Sequence, residues 1–192
     1  MDEARRPFTV AEALEHFEAP SDCVAWGKGF ASDFYAAWRA CPCASWLAHL
    51  AVTARMPFAP MLAAVSAAHD LRRRVVPLDA ELAELRAEGI PVDDPDDAGL
   101  QELRDLVAQP LFADEESRNT GYCGGFFEQA YFAAARELDE IEAMLVAKAR
   151  RTPVQARTEL VGLVRSLVKV DDFMRAYQRC LKNGSGGLEI ER

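Results

Sequence analysis

Apolar side chains recur at spacings of three and four along most of the chain, which is the period of an amphipathic α-helix. The longest stripe lies in 126–151 and consists of Phe127, Ala130, Ala134, Leu138, Ile141 and Leu145. Thr152 and Pro153 then match the N-cap and first residue of a last helix, which is predicted to run to about residue 182. These two helices are predicted to pack as a long antiparallel hairpin across Arg151-Thr152-Pro153.

Shorter helices, separated by prolines, are predicted in the N-terminal half. Thr9 and Glu12 match a capping box at the start of the first helix, and Gly89 is expected to end a helix at 78–88. Pro110 is expected to stop the helix that follows the acidic loop. Helix-period stripes and the absence of convincing strand patterns predict an all-α fold of eight to nine helices, with short helix pairs in the N-terminal half.

The domain organisation follows from the same pattern. Residues 1–184 are predicted to form a single helical domain, with an optional subdivision into 1–88 and 100–184 around the acidic loop 89–99. Half of the residues are apolar, and 10 Phe, 3 Trp and 4 Tyr supply enough large side chains for a core. Residues 185–192 are polar and glycine-rich, so they are predicted to be a tail.

Membrane and secretory signals are missing from the pattern. No apolar run reaches the roughly 18 residues that a membrane-spanning helix needs. The first residues are charged and no apolar core follows them, so a secretory signal is not predicted. Five cysteines are an odd number, which fits reduced thiols better than a disulfide framework. The chain is therefore expected to be cytoplasmic and to have no membrane partner.

Charge is distributed unevenly along the chain, whose formal net charge is −9. The segment 79–116 holds 13 acidic residues against Arg86 and Arg104, a net charge of −11. The segment 147–182 holds nine Lys or Arg against three acidic residues, a net charge of +6. Either these two segments neutralise each other inside the fold, or the acidic segment faces a basic partner and steers its association. Binding to nucleic acid is disfavoured, because a phosphate backbone repels net negative charge.

The acidic segment supplies the candidate binding residues. The partner-facing surface is predicted to consist of Asp93, Asp94, Asp96, Asp97, Glu102 and Asp105. A calcium loop starting at Asp94 is the weaker alternative, because Ala98 stands where a ligand is needed. Capping of the next helix by Asp96 or Asp97 explains the loop more economically.

Two cysteine segments are candidates for chemistry. Cys41 and Cys43 flank Pro42 and could supply two thiolates to a metal or form a redox disulfide, although burial in the core is the favoured alternative. Cys123 lies among glycines and would be the nucleophile of a thiol enzyme, against the alternative of a glycine hinge with a buried thiol. The sequence has no phosphate-loop, dinucleotide, zinc-protease or serine-hydrolase motif. We therefore expect no catalytic residue, no cofactor and no metal.

Two tryptophans flank the Cys41-Pro42-Cys43 turn. Trp38 and Trp46 both fall on apolar stripes, so both are expected to be buried, and truncation of either should cost about 3–5 kcal/mol. The segment Trp38 to Leu47 resembles the Trp-x-x-Cys-x-x-x-x-Trp-Leu segment of uncharacterised bacterial helical proteins, some of which are described as immunity proteins. The resemblance covers ten residues and brings no catalytic residue with it.

These observations favour a non-catalytic module that binds, and thereby neutralises or regulates, a partner protein with a basic surface. Bacterial immunity and conflict-system proteins act in this way. One alternative is a structural adaptor or scaffold subunit of a larger assembly, and another is a thiol enzyme that uses Cys123. Self-association into a homo-oligomer is compatible with the sequence.

Overall fold

The computed structural model describes residues 8–77, 80–90, 97–118 and 125–182. All regular structure in these ranges is helical, which confirms the all-α prediction. A short 3₁₀ helix spans Lys28–Phe30. The α-helices are α1 Val10–His16, α2 Ser21–Gly27, α3 Phe34–Ala40, α4 Ala44–Thr53, α5 Ala59–Val75, α6 Ala80–Ala87, α7 Ala98–Val107, α8 Pro110–Arg118, α9 Phe126–Ala147, α10 Pro153–Leu167 and α11 Val170–Lys182.

The described ranges thus hold eleven α-helices, and the predicted eight to nine was too few for two reasons. Pro110 begins α8 instead of only ending α7, because proline is tolerated at the first helical position, where its missing N–H is not needed. The predicted last helix is two helices, since Val168 adopts an extended backbone at ψ 95° between α10 and α11. Asp171 and Asp172 then lie in the first turn of α11, where negative charge is favoured.

The helix ends follow local sequence signals. The Thr9 hydroxyl accepts a hydrogen bond from the Glu12 N–H and the Glu12 carboxylate accepts one from the Thr9 N–H, which confirms the predicted capping box. Gly89 follows α6 with a φ of +78°, a conformation that favours glycine. The N–H groups of Gly89 and Ile90 donate to the carbonyls of Arg86 and Leu85, so the predicted helix end at Gly89 is confirmed.

The core is organised around α9, which contacts α4, α5, α7, α8 and α10. Helix α4 is buried on nearly every side and consists mostly of alanine and other apolar residues, as expected for a helix enclosed by neighbours. One cluster of buried apolar side chains extends from Val10 in α1 to Ala176 in α11. The two halves of the chain therefore share a hydrophobic core.

The two tryptophans beside the Cys41-Pro42-Cys43 turn differ in how deeply they are buried. Trp38 is 1% exposed and stacks on Phe173 of α11, with ring centroids 4.6 Å apart, so its burial is confirmed. Trp46 is less deeply buried and packs on Trp26. It lies in the first turn of α4, at the margin of the core. The Arg165 guanidinium donates to the carbonyls of Trp38 and Cys41, satisfying backbone groups at the end of α3.

Candidate functional site

The predicted partner-facing residues fall into three groups. Asp93, Asp94 and Asp96 lie outside the described residues. Asp97 immediately precedes α7 and its carboxylate is 30% exposed. Glu102 and Asp105 lie on α7 and are exposed. The structure therefore separates, by their surroundings, acidic residues that look equivalent in the sequence.

Asp97 is held by three side chains of α5. Arg72 and Arg73 each donate to its carboxylate at 2.6 Å, and His69 Nδ1 lies 3.1 Å from its Oδ1. Arg72 is 2% exposed, although it belongs to the basic run Arg72-Arg73-Arg74, whose other two members are exposed. Asp97 occupies the N-cap position of α7 but its side chain makes no capping hydrogen bond. Its negative charge is neutralised by α5 instead.

The same buried histidine bonds to α9. His69 is fully buried, and its Nε2 lies 3.1 Å from Oε2 of Glu137, which is 4% exposed. Gly99 of α7 packs directly on this carboxylate, and a Cβ atom built on Gly99 would overlap it. We call His69, Arg72, Arg73, Asp97 and Glu137 the charge node. It fastens the start of α7 to both α5 and α9.

A groove of about 530 Å³ runs along the outer side of α7 and α9. Its floor consists of apolar side chains that are half-buried, namely Leu106, Phe126, Phe132 and Ala133. Its rim carries exposed polar side chains, among them Glu102 and Asp105 on the α7 side and Arg136 on the α9 side. An apolar surface with a polar rim is the usual composition of a protein-binding site. Two of the predicted partner-facing residues thus line a concave, partly apolar surface.

The rim is acidic along α7. Asp105 accepts a hydrogen bond from Gln101 at 2.8 Å and keeps its negative charge exposed. Glu102 pairs with Arg136 at 3.4 Å, but the two side chains are 71% and 56% exposed, so this pair is weak. Arg104 of α7 turns away and donates to Ser66 of α5. Among the described residues that line the groove, Arg136 is the one cation.

A second groove, of about 480 Å³, lies between the α4–α5 turn and α11. Met56, Pro57 and Pro60 supply its apolar part, and α11 lines it with the cations Arg175 and Arg179 and with the carboxylate of Asp172. Arg175 already pairs with Asp172 within the same helix. The basic C-terminal segment therefore shapes a surface of its own, and the cations that neutralise Asp97 come from α5.

The thiols that the structure describes are poorly placed for chemistry. Cys41 is 1% exposed and its sulfur donates to the Cys43 carbonyl, so the favoured prediction of core burial is confirmed. Burial raises the pKa of Cys41 to about 12 and also raises the pKa values of Cys23 and Cys180, which disfavours the nucleophilic thiolate. Cys123, the predicted nucleophile of a thiol enzyme, lies outside the described residues.

Metal-binding groups and membrane helices are likewise missing from the described parts of the chain. No group of three His, Cys, Asp or Glu in these ranges is placed to hold a metal ion. No helix there is both long enough and apolar enough to cross a bilayer.

His49, a buried histidine of α4, has an Nδ1 atom without a hydrogen-bond partner among the described residues, and burial lowers its pKa to about 4.

Comparisons with protein-family models, with curated proteins and with solved structures each gave no match for this chain. The resemblance of the segment around Trp38 to immunity proteins therefore stays a prediction.

The sequence did not predict the floor of the groove or the charge node. Phe126, Phe132 and Leu106 belong to apolar stripes, and nothing in the pattern shows which members of a stripe stay half-exposed. The charge node does leave one signal in the sequence. His69 and Arg72 are three residues apart on α5, so an inward-facing histidine indicates that Arg72 faces inward as well.

Proposed function

We propose that this chain is a non-catalytic protein-binding module that neutralises or regulates a partner protein with a basic surface. The observation that carries the proposal is the acidic rim of the α7–α9 groove, where Glu102 and Asp105 are exposed beside an apolar floor. A net charge of −9 supports it, because such a field attracts a basic partner over a distance and repels nucleic acid. Neutralisation of a partner, as in bacterial immunity proteins, is the role that fits this chemistry best.

We also propose Asp93, Asp94 and Asp96 as partner-facing residues. They lie outside the described residues, and they are included because they belong to the acidic segment just before α7 in the sequence. Asp97 contributes less, because its carboxylate is already bonded to Arg72 and Arg73. The proposed surface therefore centres on Glu102 and Asp105.

The proposed function is that of a single domain. We infer that residues 1–184 act as one domain in the cytoplasm, with α9 and α10 arranged as an antiparallel hairpin. Contacts between α9 and α10, and the apolar cluster shared by both halves of the chain, support this arrangement. The raised pKa values of Cys23, Cys41 and Cys180 support a role without thiol catalysis.

A structural adaptor is the second candidate function. The observation that favours it is the second groove, in which Arg175 and Arg179 offer positive charge beside Met56 and Pro57. An adaptor would use the two grooves for two different partners, whereas a neutralising protein needs only the acidic one. The adaptor would be favoured if substitutions in the two grooves each abolished the capture of a different set of proteins.

Affinity capture with matched variants tests the proposed function. The immobilised chain, its Glu102→Gln/Asp105→Asn variant and a Glu15→Gln/Asp22→Asn control are exposed to extract from the cells that produce the protein. The control removes the same number of exposed carboxylates from α1 and α2, which do not line the groove. We expect a basic protein to be retained by the chain and the control and lost from the groove variant. Identical retention by all three would contradict the proposal.

A further inference from the structure

The α7–α9 groove has the form of a site for a helix. Helices α7 and α9, which contact each other, form its two walls. Leu106, Phe126 and Phe132 of its floor pack on the core and stay partly exposed. Recognition by strand addition needs an open sheet edge, and the described residues contain no strand. An apolar groove of this kind is suited to the apolar face of an amphipathic helix, as in helix-in-groove recognition.

The charges of the rim specify the other faces of that helix. Glu102 and Asp105 are three residues apart on α7 and so lie on one face of the helix, where Cβ atoms at this spacing are about 5–6 Å apart. They are positioned to meet Lys or Arg side chains along one flank of a bound helix. Arg136 stands on the opposite wall, so the flank that meets α9 is better served by neutral or acidic residues.

Binding would exchange one exposed ion pair for another that is better desolvated. In the free protein Glu102 is paired with Arg136 across the rim, and both side chains are more than half exposed. A cationic partner competes with Arg136 for the same carboxylate. Removal of the Arg136 charge should therefore strengthen the binding of a cationic helix, which a merely structural role of this residue would not predict.

The charge node anchors the start of α7, the helix that forms one wall of the groove. Asp97 and Gly99, at the start of α7, are fixed against α5 and α9 by the buried contacts of His69 and Glu137. The start of α7 is therefore held against α5 and α9 without the partner. A preformed site avoids the entropic cost of ordering a wall at the moment of binding.

From these observations we propose that the α7–α9 groove binds a cationic amphipathic helix, with its apolar face on the groove floor and its basic flank along Glu102 and Asp105. This inference rests on the proposed function and names the structural element that the partner presents.

The test uses defined peptides instead of an unidentified protein. A labelled Leu/Lys peptide of about 18 residues with helical amphipathic spacing, and a scrambled peptide of the same composition, are titrated with the chain by fluorescence anisotropy. We expect the amphipathic peptide to bind about tenfold more tightly than the scrambled one. Equal affinities would show that charge alone drives binding, and would overturn the inference.

Three variants locate the peptide. Ala133→Gln places a polar side chain on the groove floor at a half-buried position and should weaken binding about tenfold. Glu102→Gln/Asp105→Asn should weaken binding similarly at low salt, and the Glu15→Gln/Asp22→Asn control should not. Arg136→Gln should strengthen binding about threefold, because it removes the competing cation. Circular dichroism of each variant confirms that the fold is retained.

Arg136 is exposed, so its variant keeps the test decisive even if Ala133→Gln fails to fold. Unchanged or weaker binding by Arg136→Gln would overturn the inference. If the groove variant Glu102→Gln/Asp105→Asn loses a captured basic protein while folded Ala133→Gln retains it, the proposed function stands and the helix-in-groove inference fails. If neither variant changes capture or peptide binding, both fail.

Discussion

The charge node and the groove rim use carboxylates from the same acidic segment in opposite ways. Asp97 lies at the start of α7 and is bonded to Arg72 and Arg73, so its charge is neutralised within the fold. Glu102 and Asp105, one and two turns further along, are exposed at the groove. What differs is the neighbouring helix. Helix α5 presents the buried Arg72 and the more exposed Arg73 to the start of α7, whereas the groove side faces solvent.

This difference separates stability from binding along one short helix. Charges that are desolvated and paired hold the fold together, and removal of one partner leaves the other buried and uncompensated. Charges that stay in solvent contribute little to folding and remain available to a partner. This division would be contradicted if a residue of the charge node proved dispensable for folding or a residue of the groove rim proved essential for it.

The largest expected effect is at Glu137. Glu137→Ala should lower the free energy of unfolding by about 3–5 kcal/mol, because it leaves buried His69 without one of its two carboxylates. Glu140→Ala, the same change one turn later on α9 at an exposed position, is the matched control and should stay within about 0.5 kcal/mol. Urea unfolding of both variants measures the difference. Equal effects would show that the charge node does not stabilise the fold.

A second buried histidine, His49, is expected to make the free energy of unfolding depend on pH. The Nδ1 atom of His49 has no hydrogen-bond partner among the described residues, and burial lowers the pKa of His49 to about 4 from an ordinary 6.5. Between about pH 4 and pH 6.5 the unfolded chain therefore binds more protons than the folded one. Burial of the neutral His49 imidazole should lower the free energy of unfolding by about 3 kcal/mol as the pH falls through this window.

His49→Leu isolates this effect, since burial raises the pKa values of Glu128 and Asp139, which act in the opposite direction. The stability difference between the original chain and His49→Leu should shift in favour of the variant as the pH falls through this window. Urea unfolding at pH 7 and at pH 4 measures that shift. A difference that does not change with pH would contradict the burial of a neutral imidazole.

A smaller loss is expected at Asp97. Asp97→Asn keeps the shape of the side chain but removes the charge that Arg72 and Arg73 share, which should cost about 1–3 kcal/mol. Asp105→Asn is the same substitution on the exposed face of α7 and should have almost no effect. Thermal unfolding of the pair measures the contrast. A loss at Asp105 as large as that at Asp97 would erase the distinction between the two regions.

The smallest effect on folding is expected at the rim. Glu102→Gln/Asp105→Asn should change the free energy of unfolding by no more than about 0.5 kcal/mol, since both side chains are exposed. The same variant should bind a basic partner poorly. A loss of about 2 kcal/mol or more in urea unfolding would assign these carboxylates to the fold.

Local sequence signals predicted the ends of several helices correctly. The Thr9 capping box, the Thr152-Pro153 start and the Gly89 end all depend on side chains within a few residues, so the sequence alone reveals them. Pro110 misled the prediction because proline is compatible with both the end of one helix and the start of the next. The break at Val168 carries no glycine or proline, and no local rule predicted it.

The candidate site was harder to predict, because it depends on which helices become neighbours. Composition identified the acidic segment, and Glu102 and Asp105 are indeed exposed. That Asp97 is held by α5 follows from contacts between residues more than twenty positions apart, which periodicity does not encode. The difference in burial between Trp38 and Trp46 was not predicted for the same reason, since the exposure of Trp46 depends on how α2 packs against it.

The most direct test of the central claim is the association rate of the captured basic partner as a function of ionic strength. We expect Glu102→Gln/Asp105→Asn to slow association and to flatten its dependence on salt, while the Glu15→Gln/Asp22→Asn control behaves like the original chain. Association rates and salt slopes that are the same for both variants would contradict a binding role for the α7 rim.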